Sequence, residues 1–219
     1  KVEKNLSPCS IKHRMQALSR ALDEYARHHP ELPLTNPVKL LPKGYSTYSE
    51  VDTKMARARG GEEKVTIPRD RRLEPGEHEK IIQALSGFEH PDRVRGLQLK
   101  GGNALLTLYL LIVDSGLRLK EAYTLKRGQV DMDSKVIRVQ NSKQWRGKVS
   151  FRDVPLRPEV HGALASYLAT RAMLPNAWFF PFMEEDGVVG EKTVSQRLSF
   201  RFKTAFDYMG IQNLHEHDL

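Results

Sequence analysis

The first residues whose types and spacing suggest chemistry lie in Ser115-Gly116-Leu117-Arg118-Leu119-Lys120-Glu121-Ala122, where a carboxylate follows a guanidinium by three positions. At that spacing on a helix the two side chains share a face and are within pairing reach. A guanidinium stays charged, and its planar fork matches two oxygens of a phosphate. Glu121 can hold the fork of Arg118 in one orientation. Read structurally, this is an ion pair beside a buried helix; read functionally, it is an oriented phosphate ligand. Further on, Lys143-Gln144-Trp145-Arg146-Gly147-Lys148 reads as a basic turn. A lysine on such a turn can protonate a leaving oxygen as a general acid. Near the end, His215-Glu216-His217-Asp218 supplies imidazoles, which titrate near neutral pH. That run lacks the His-Glu-x-x-His spacing and the cysteine partners of a zinc site, so no metal is expected. Glycine-rich phosphate loops are absent, which argues against a nucleotide-driven enzyme, and no cofactor is expected.

The elements that must position these groups follow from periodicity. Ala104 to Asp114 is apolar almost all round, the mark of a helix inside a core. It is too short for a membrane span, which needs roughly 20 apolar residues. Ser115-Gly116 breaks it, and a second short helix carries Arg118 in its first turn. After Gly128 the period becomes alternating, with Val136-Ile137-Arg138-Val139 as a strand and a return strand ending at Val154-Pro155-Leu156. A helix from Glu74-Pro75-Gly76-Glu77 through Leu85 precedes the stretch from Ala104 to Leu156, and Pro158-Glu159 starts another after it. Trp178-Phe179-Phe180-Pro181 reads as core. Thr193 opens a last helix with Val194, Leu198, Phe202, Ala205 and Met209 on one face and Arg197, Arg201 and Lys203 on the other.

At the other end, Ser7-Pro8 is a helix start. Met15, Leu18, Leu22 and Tyr25 form one stripe, opposite Lys12, His13, Arg14, Arg20 and Arg27. That basic face is either solvated or laid on a phosphate backbone. From Lys39 to Arg72 the periodicity fails, and nine Lys or Arg stand against five Asp or Glu, including Arg69-Asp70-Arg71-Arg72. Such composition does not predict a packed core. The expected fold is mainly α with a small antiparallel β-hairpin or sheet (α+β). The expected division is a partial helical domain at 1–40, a basic linker at 41–72 and a mainly helical domain at 73–219. The formal net charge of +8 suits either solubility or a polyanionic partner, usually nucleic acid. A single cysteine, Cys9, gives no sign of an oxidising compartment, and no signal peptide or membrane run is read.

In order and spacing, Ser115 to Ala122, then Leu125, Val130-Asp131-Met132-Asp133, Asn141-Ser142-Lys143 and Arg152-Asp153-Val154-Pro155-Leu156 resemble the tyrosine recombinase (phage integrase) family. Each piece alone is weak; the series carries the resemblance. It covers Pro68 to the end well and Ser7 to Val38 more loosely. It implies that Arg118 binds the reacting phosphate and that Lys143 is the general acid, with Lys148 as runner-up. Glu121 would orient Arg118, and His217 would assist the phosphate or take the proton of a nucleophilic tyrosine. The reaction implied is DNA cleavage and rejoining through a 3′-phosphotyrosyl intermediate, without metal.

The resemblance also implies that residues 1–40 are part of a core-binding DNA clamp and that the partner is double-stranded DNA. Lys12, Arg14, Arg69, Arg71, Arg72, Lys148, Arg197 and Arg201 are the expected DNA contacts. The full-length protein, bacterial or phage-encoded, would form a homotetramer on paired sites, with no membrane role, in the cytoplasm and associated with the nucleoid. His217-Asp218-Leu219 resembles the start of the family's His-x-x-Arg motif, whose Arg would be residue 220. All seven tyrosines precede His217. The expectation is therefore a fragment, incomplete at both ends, that binds DNA without cutting it. A non-catalytic DNA-binding module of the same fold and a type IB topoisomerase stay open as alternatives.

Overall fold

Ser7 starts the first helix as its type predicts. Its backbone is extended, and its Oγ accepts the N–H of Ser10 at 3.2 Å. Helix α1 then runs Pro8–His28 in a computed structural model that describes residues 2–32, 35–65, 70–92, 95–140, 150–185 and 190–219. The chain divides into two units, Lys1–Arg69 and Asp70–Leu219.

In the first unit α1 buries Ile11, while Leu18 and Tyr25 of the predicted stripe stay about half exposed. Asn36 clips the following turn, Pro37–Leu40, onto α1: its Nδ2 donates to the Ser19 carbonyl and to Asp23 Oδ1, each at 2.9 Å. Its Oδ1 accepts the N–H of Val38. The expected linker contains a helix, α2 (Glu50–Ala58), opened by a reciprocal cap. Ser49 Oγ accepts the Asp52 N–H at 3.2 Å, and Asp52 Oδ2 accepts the Ser49 N–H at 2.9 Å. The Tyr48 hydroxyl donates to the Leu6 carbonyl at 3.0 Å, which ties this stretch to the start of α1. The contact boundary thus falls after Arg69, and much of the 41–72 stretch belongs to the first unit. The signal was Ser-x-x-Asp, a capping box whose helix buries so little that periodicity does not register it.

The second unit contains α3 (Glu77–Leu85), α4 (Gly102–Ser115), α5 (Leu119–Tyr123), α6 (Pro158–Ala169) and α7 (Glu191–Tyr208). Strands β1 (Val130–Asp131), β2 (Val136–Gln140) and β3 (Phe151–Pro155) form an antiparallel sheet in that order. Ile137 lies opposite Val154, and Val139 opposite Arg152. The fold is therefore mainly helical with a small antiparallel sheet, as the sequence predicts. Helix α4 is the core, with Leu105, Leu108, Tyr109 and Leu111 fully buried between α3, α5 and α6. Phe179 and Phe180 close the core beside α6, packed on Tyr167.

Candidate active site

Arg118 is placed by the way α4 ends. Gly116 adopts φ +62°, a left-handed conformation that glycine takes at little cost, and this stops the helix. Leu117 turns into the core, so the next residue must face outward. Arg118 is then the extended residue just before α5. Its side chain is 59% exposed, whereas that of Glu121, in the first turn of α5, is 2% exposed. Glu121 Oε2 accepts the Arg118 backbone N–H at 3.2 Å, and Oε1 accepts from Arg118 Nη1 at 3.1 Å. The carboxylate therefore fixes both the backbone and the guanidinium of Arg118.

A third residue completes the cluster. Arg152 Nη2 donates to Glu121 Oε2 at 2.8 Å from strand β3, with its side chain 36% exposed. In the sequence Arg152 stands out only as part of a motif string. The available signal was strand alternation: Arg152 and Val154 share the half-buried face of β3. Beside the cluster lies a cleft of about 540 Å³ that Glu121, Lys120, Lys126, Gln140 and Trp178 help to line. Lys126 Nζ stands 5.2 Å from the centre of the Trp178 ring, and Lys120 pairs with Glu191 at 2.6 Å.

His217 sits in the turn Glu216–Asp218, which packs against α7. Ser199 on α7 anchors that turn by donating to Glu216 Oε1 at 2.5 Å. The His217 ring is 82% exposed, with Nε2 3.6 Å from Glu216 Oε1. Arg118, Glu121 and Arg152 are thus bonded together, while His217 pairs with Glu216. Lys143, Lys148 and Arg69 lie outside the described residues.

The other expected DNA contacts divide by exposure. Lys12 and Arg14 are exposed on α1, and the Arg72 side chain is 86% exposed. Arg197 is half-buried on α7. Arg71 is turned inward onto Glu77 at 2.5 Å, and Arg201 onto Glu185 at 2.5 Å. Their side chains are 14% and 12% exposed, so both are committed to internal pairs. A helix-face reading could not separate such arginines from solvated ones, because Glu185 is distant in sequence from Arg201.

The tyrosines of the second unit are engaged. Tyr109 Oη is 3.0 Å from His78 Nδ1, and the Tyr123 hydroxyl donates to the Glu191 carbonyl at 2.9 Å. Tyr167 accepts from Arg171 at 2.9 Å, and Tyr208 accepts the His90 N–H at 2.8 Å. Burial pushes the phenols of Tyr109, Tyr123 and Tyr167 above their ordinary value, so they ionise less readily than free tyrosine.

Residues 71–219, which hold this whole cluster, match the phage integrase family. The chain belongs to the phage integrase family. This integrase-family chain also resembles the solved Tn1549 transposon integrase in complex with circular intermediate DNA. The identity is 17%, the TM-score 0.60, and the match covers 99% of this chain and 65% of that one. The same integrase in complex with transposon right end DNA matches at 16% identity and TM-score 0.58, over 99% and 65% of the two chains. The chain therefore spans about two thirds of the length of these relatives, and at such identities the likeness is one of fold. No curated protein matches in a sequence comparison. Among the described residues no helix is long and apolar enough to cross a membrane.

Proposed function

We propose that this chain is part of a site-specific recombinase that cuts and rejoins duplex DNA through a 3′-phosphotyrosyl intermediate, in the service of a mobile element. The observation that carries this reading is Arg118, exposed beside α5 and fixed by the buried Glu121, within a phage-integrase-family fold. A tyrosine oxygen attacks the phosphorus and bonds to it, and the bond to the 5′ oxygen breaks. The DNA strand is left joined to the protein at its 3′ phosphate. Negative charge grows on the non-bridging oxygens, where a preoriented guanidinium stabilises it more than in the ground state. The departing 5′ oxygen needs a proton, the role assigned to Lys143. His217, exposed in the turn Glu216–Asp218, assists at the phosphate or takes the tyrosine's proton. Reversal with a new 5′ hydroxyl rejoins the strand, since the covalent bond conserves the energy of the one broken.

In this proposal residues 1–40 clamp the duplex. Lys12, Arg14, Arg69, Arg72, Lys148 and Arg197 contact phosphates, while Arg71 and Arg201 hold the second unit together. The complete protein assembles as a tetramer on paired sites and works in the cytoplasm on the nucleoid. Residues 1–219 alone bind DNA without cleaving it. Each of the seven tyrosines precedes His217, and those of the second unit are hydrogen-bonded as described.

The test has two parts. Titration of a labelled duplex at several salt concentrations should show affinity falling steeply with salt, as counterion release requires. A suicide duplex should yield no denaturant-resistant adduct with residues 1–219. It should yield one with a chain that continues through a downstream tyrosine, and Arg118→Ala there should cost about 10²–10³ in rate, by analogy with an oxyanion donor. Salt-independent binding, or an adduct with residues 1–219, would overturn the reading. Relaxation of supercoiled plasmid by a monomer would favour the type IB topoisomerase.

A further inference from the structure

Glu121 is buried and two guanidinium groups share it, one from the start of α5 and one from β3. A carboxylate facing a single arginine tends to close a two-pronged pair with it and to cancel its charge. Here Oε1 takes Arg118 Nη1, while Oε2 takes Arg152 Nη2 together with the Arg118 backbone N–H. Two guanidinium groups and one carboxylate leave the cluster with a formal charge of +1. The two arginines are also unequal in exposure, 59% for the Arg118 side chain against 36% for Arg152. The more exposed guanidinium is the one whose backbone the same carboxylate fixes.

We infer that Arg152 is a positioning residue for Arg118: by offsetting the charge of Glu121 and occupying its Oε2, it leaves Arg118 a net positive charge to present to a DNA phosphate. The inference rests on the reading of Arg118 as a phosphate ligand. It differs from two simpler roles for Arg152, a phosphate contact of its own or a fastener of β3 onto α5. Without Arg152, Glu121 turns wholly onto Arg118 and neutralises it. Without Glu121 as well, that neutralisation is lost too, and Arg152 is no longer needed to prevent it.

Residues 1–219 binding a short duplex provide the assay. It reads the slope of log affinity against log salt, which changes by about 0.9 for each phosphate neutralised, together with the thermal midpoint of the free protein. Arg118→Ala should flatten the slope by about 0.9. Arg152→Ala should flatten it by the same amount although Arg118 remains, and Arg152→Lys should keep the original slope. The double variant Glu121→Gln with Arg152→Ala should restore the original slope, which a structural fastener or a direct phosphate contact does not predict. Where Arg152→Ala fails to fold, Arg152→Gln takes its place, since it keeps part of the side chain's bulk and a polar amide but brings no charge. A slope unchanged in the Arg152 variants, with only the midpoint lowered, would show a fastener. A slope still flattened in the double variant would show a direct contact. Either result overturns the inference. A wild type without salt dependence, or an Arg118→Ala variant with an unchanged slope, would instead overturn the reading of Arg118.

Discussion

Helix α1 in the first unit and helix α4 in the second are both organised by apolar residues, yet they reach opposite ends. On α1, Ile11 is buried but Leu18 and Tyr25 are about half exposed; on α4, Leu105, Leu108, Tyr109 and Leu111 are fully buried. The first unit is held to a large extent by polar clips: Asn36 onto α1, the Ser49–Asp52 cap, and Tyr48 onto Leu6. Each such bond contributes about 1 kcal/mol net. The second unit is held by burial, at about 1.5–3 kcal/mol for each large apolar side chain. This difference suits the proposed division of labour. A guanidinium aimed at a reacting phosphate must be held to within about 0.5 Å by a rigid shell. A basic helix face on a phosphate backbone sets register and orientation, and tolerates a looser support.

The largest expected effect tests whether burial carries the second unit and not the first. Leu108→Ala empties a fully buried site and should cost about 3–5 kcal/mol. Leu22→Ala, on the half-buried stripe of α1, should cost under about 1 kcal/mol. Urea unfolding followed separately in the two units measures both. Equal losses would break the contrast.

A smaller effect tests the clips. Asn36→Ala removes the turn's cap and its bonds to Ser19 and Asp23, and should cost about 1–2 kcal/mol. The loss should appear as faster amide exchange over α1 and the Pro37–Leu40 turn, with α4 unchanged. Slowed or unchanged exchange in α1 would show that its stability comes from elsewhere.

The same contrast explains what the sequence discloses. Helix α4 and the β2–β3 pairing are legible because apolar periodicity reports burial directly. The α2 helix is not, since its evidence is one reciprocal cap and one buried alanine, Ala56. At the site, Arg118 and Glu121 are legible because they are three residues apart across the start of one short helix, Arg118 just before it and Glu121 in its first turn. Arg152 reaches Glu121 from 31 positions away, and only strand register brings it there. For the same reason the inward turn of Arg201 onto Glu185 is hidden in the sequence, since the two stand 16 positions apart. Charge on a helix face tells which residues could meet DNA. It does not tell which are already paired.

The smallest expected effect concerns acid, and it compares one carboxylate from each unit. Burial by itself would raise the Glu77 carboxyl, but hydrogen bonds from Arg71 and the Glu74 N–H outweigh it and hold the group below its ordinary 4.5. Hydrogen bonds from Asn36 and Lys39 hold Asp23 below its ordinary 3.8. Both folded values are depressed, so each contribution is complete above the unfolded value and is lost as pH falls through the folded one. The consequences differ, because protonating Glu77 leaves the mostly buried Arg71 without its main counter-charge, whereas Asp23 and Lys39 lie near solvent. Carboxyl NMR titration should therefore place both midpoints low, with loss of second-unit structure accompanying Glu77 alone. Arg71→Met sharpens the comparison by sign. With the guanidinium gone, burial dominates and the Glu77 midpoint should move above 4.5, whereas Asn36→Ala should return Asp23 only toward 3.8. A Glu77 midpoint that stays low in Arg71→Met would show that the Glu74 N–H, and not the buried ion pair, holds this carboxylate charged.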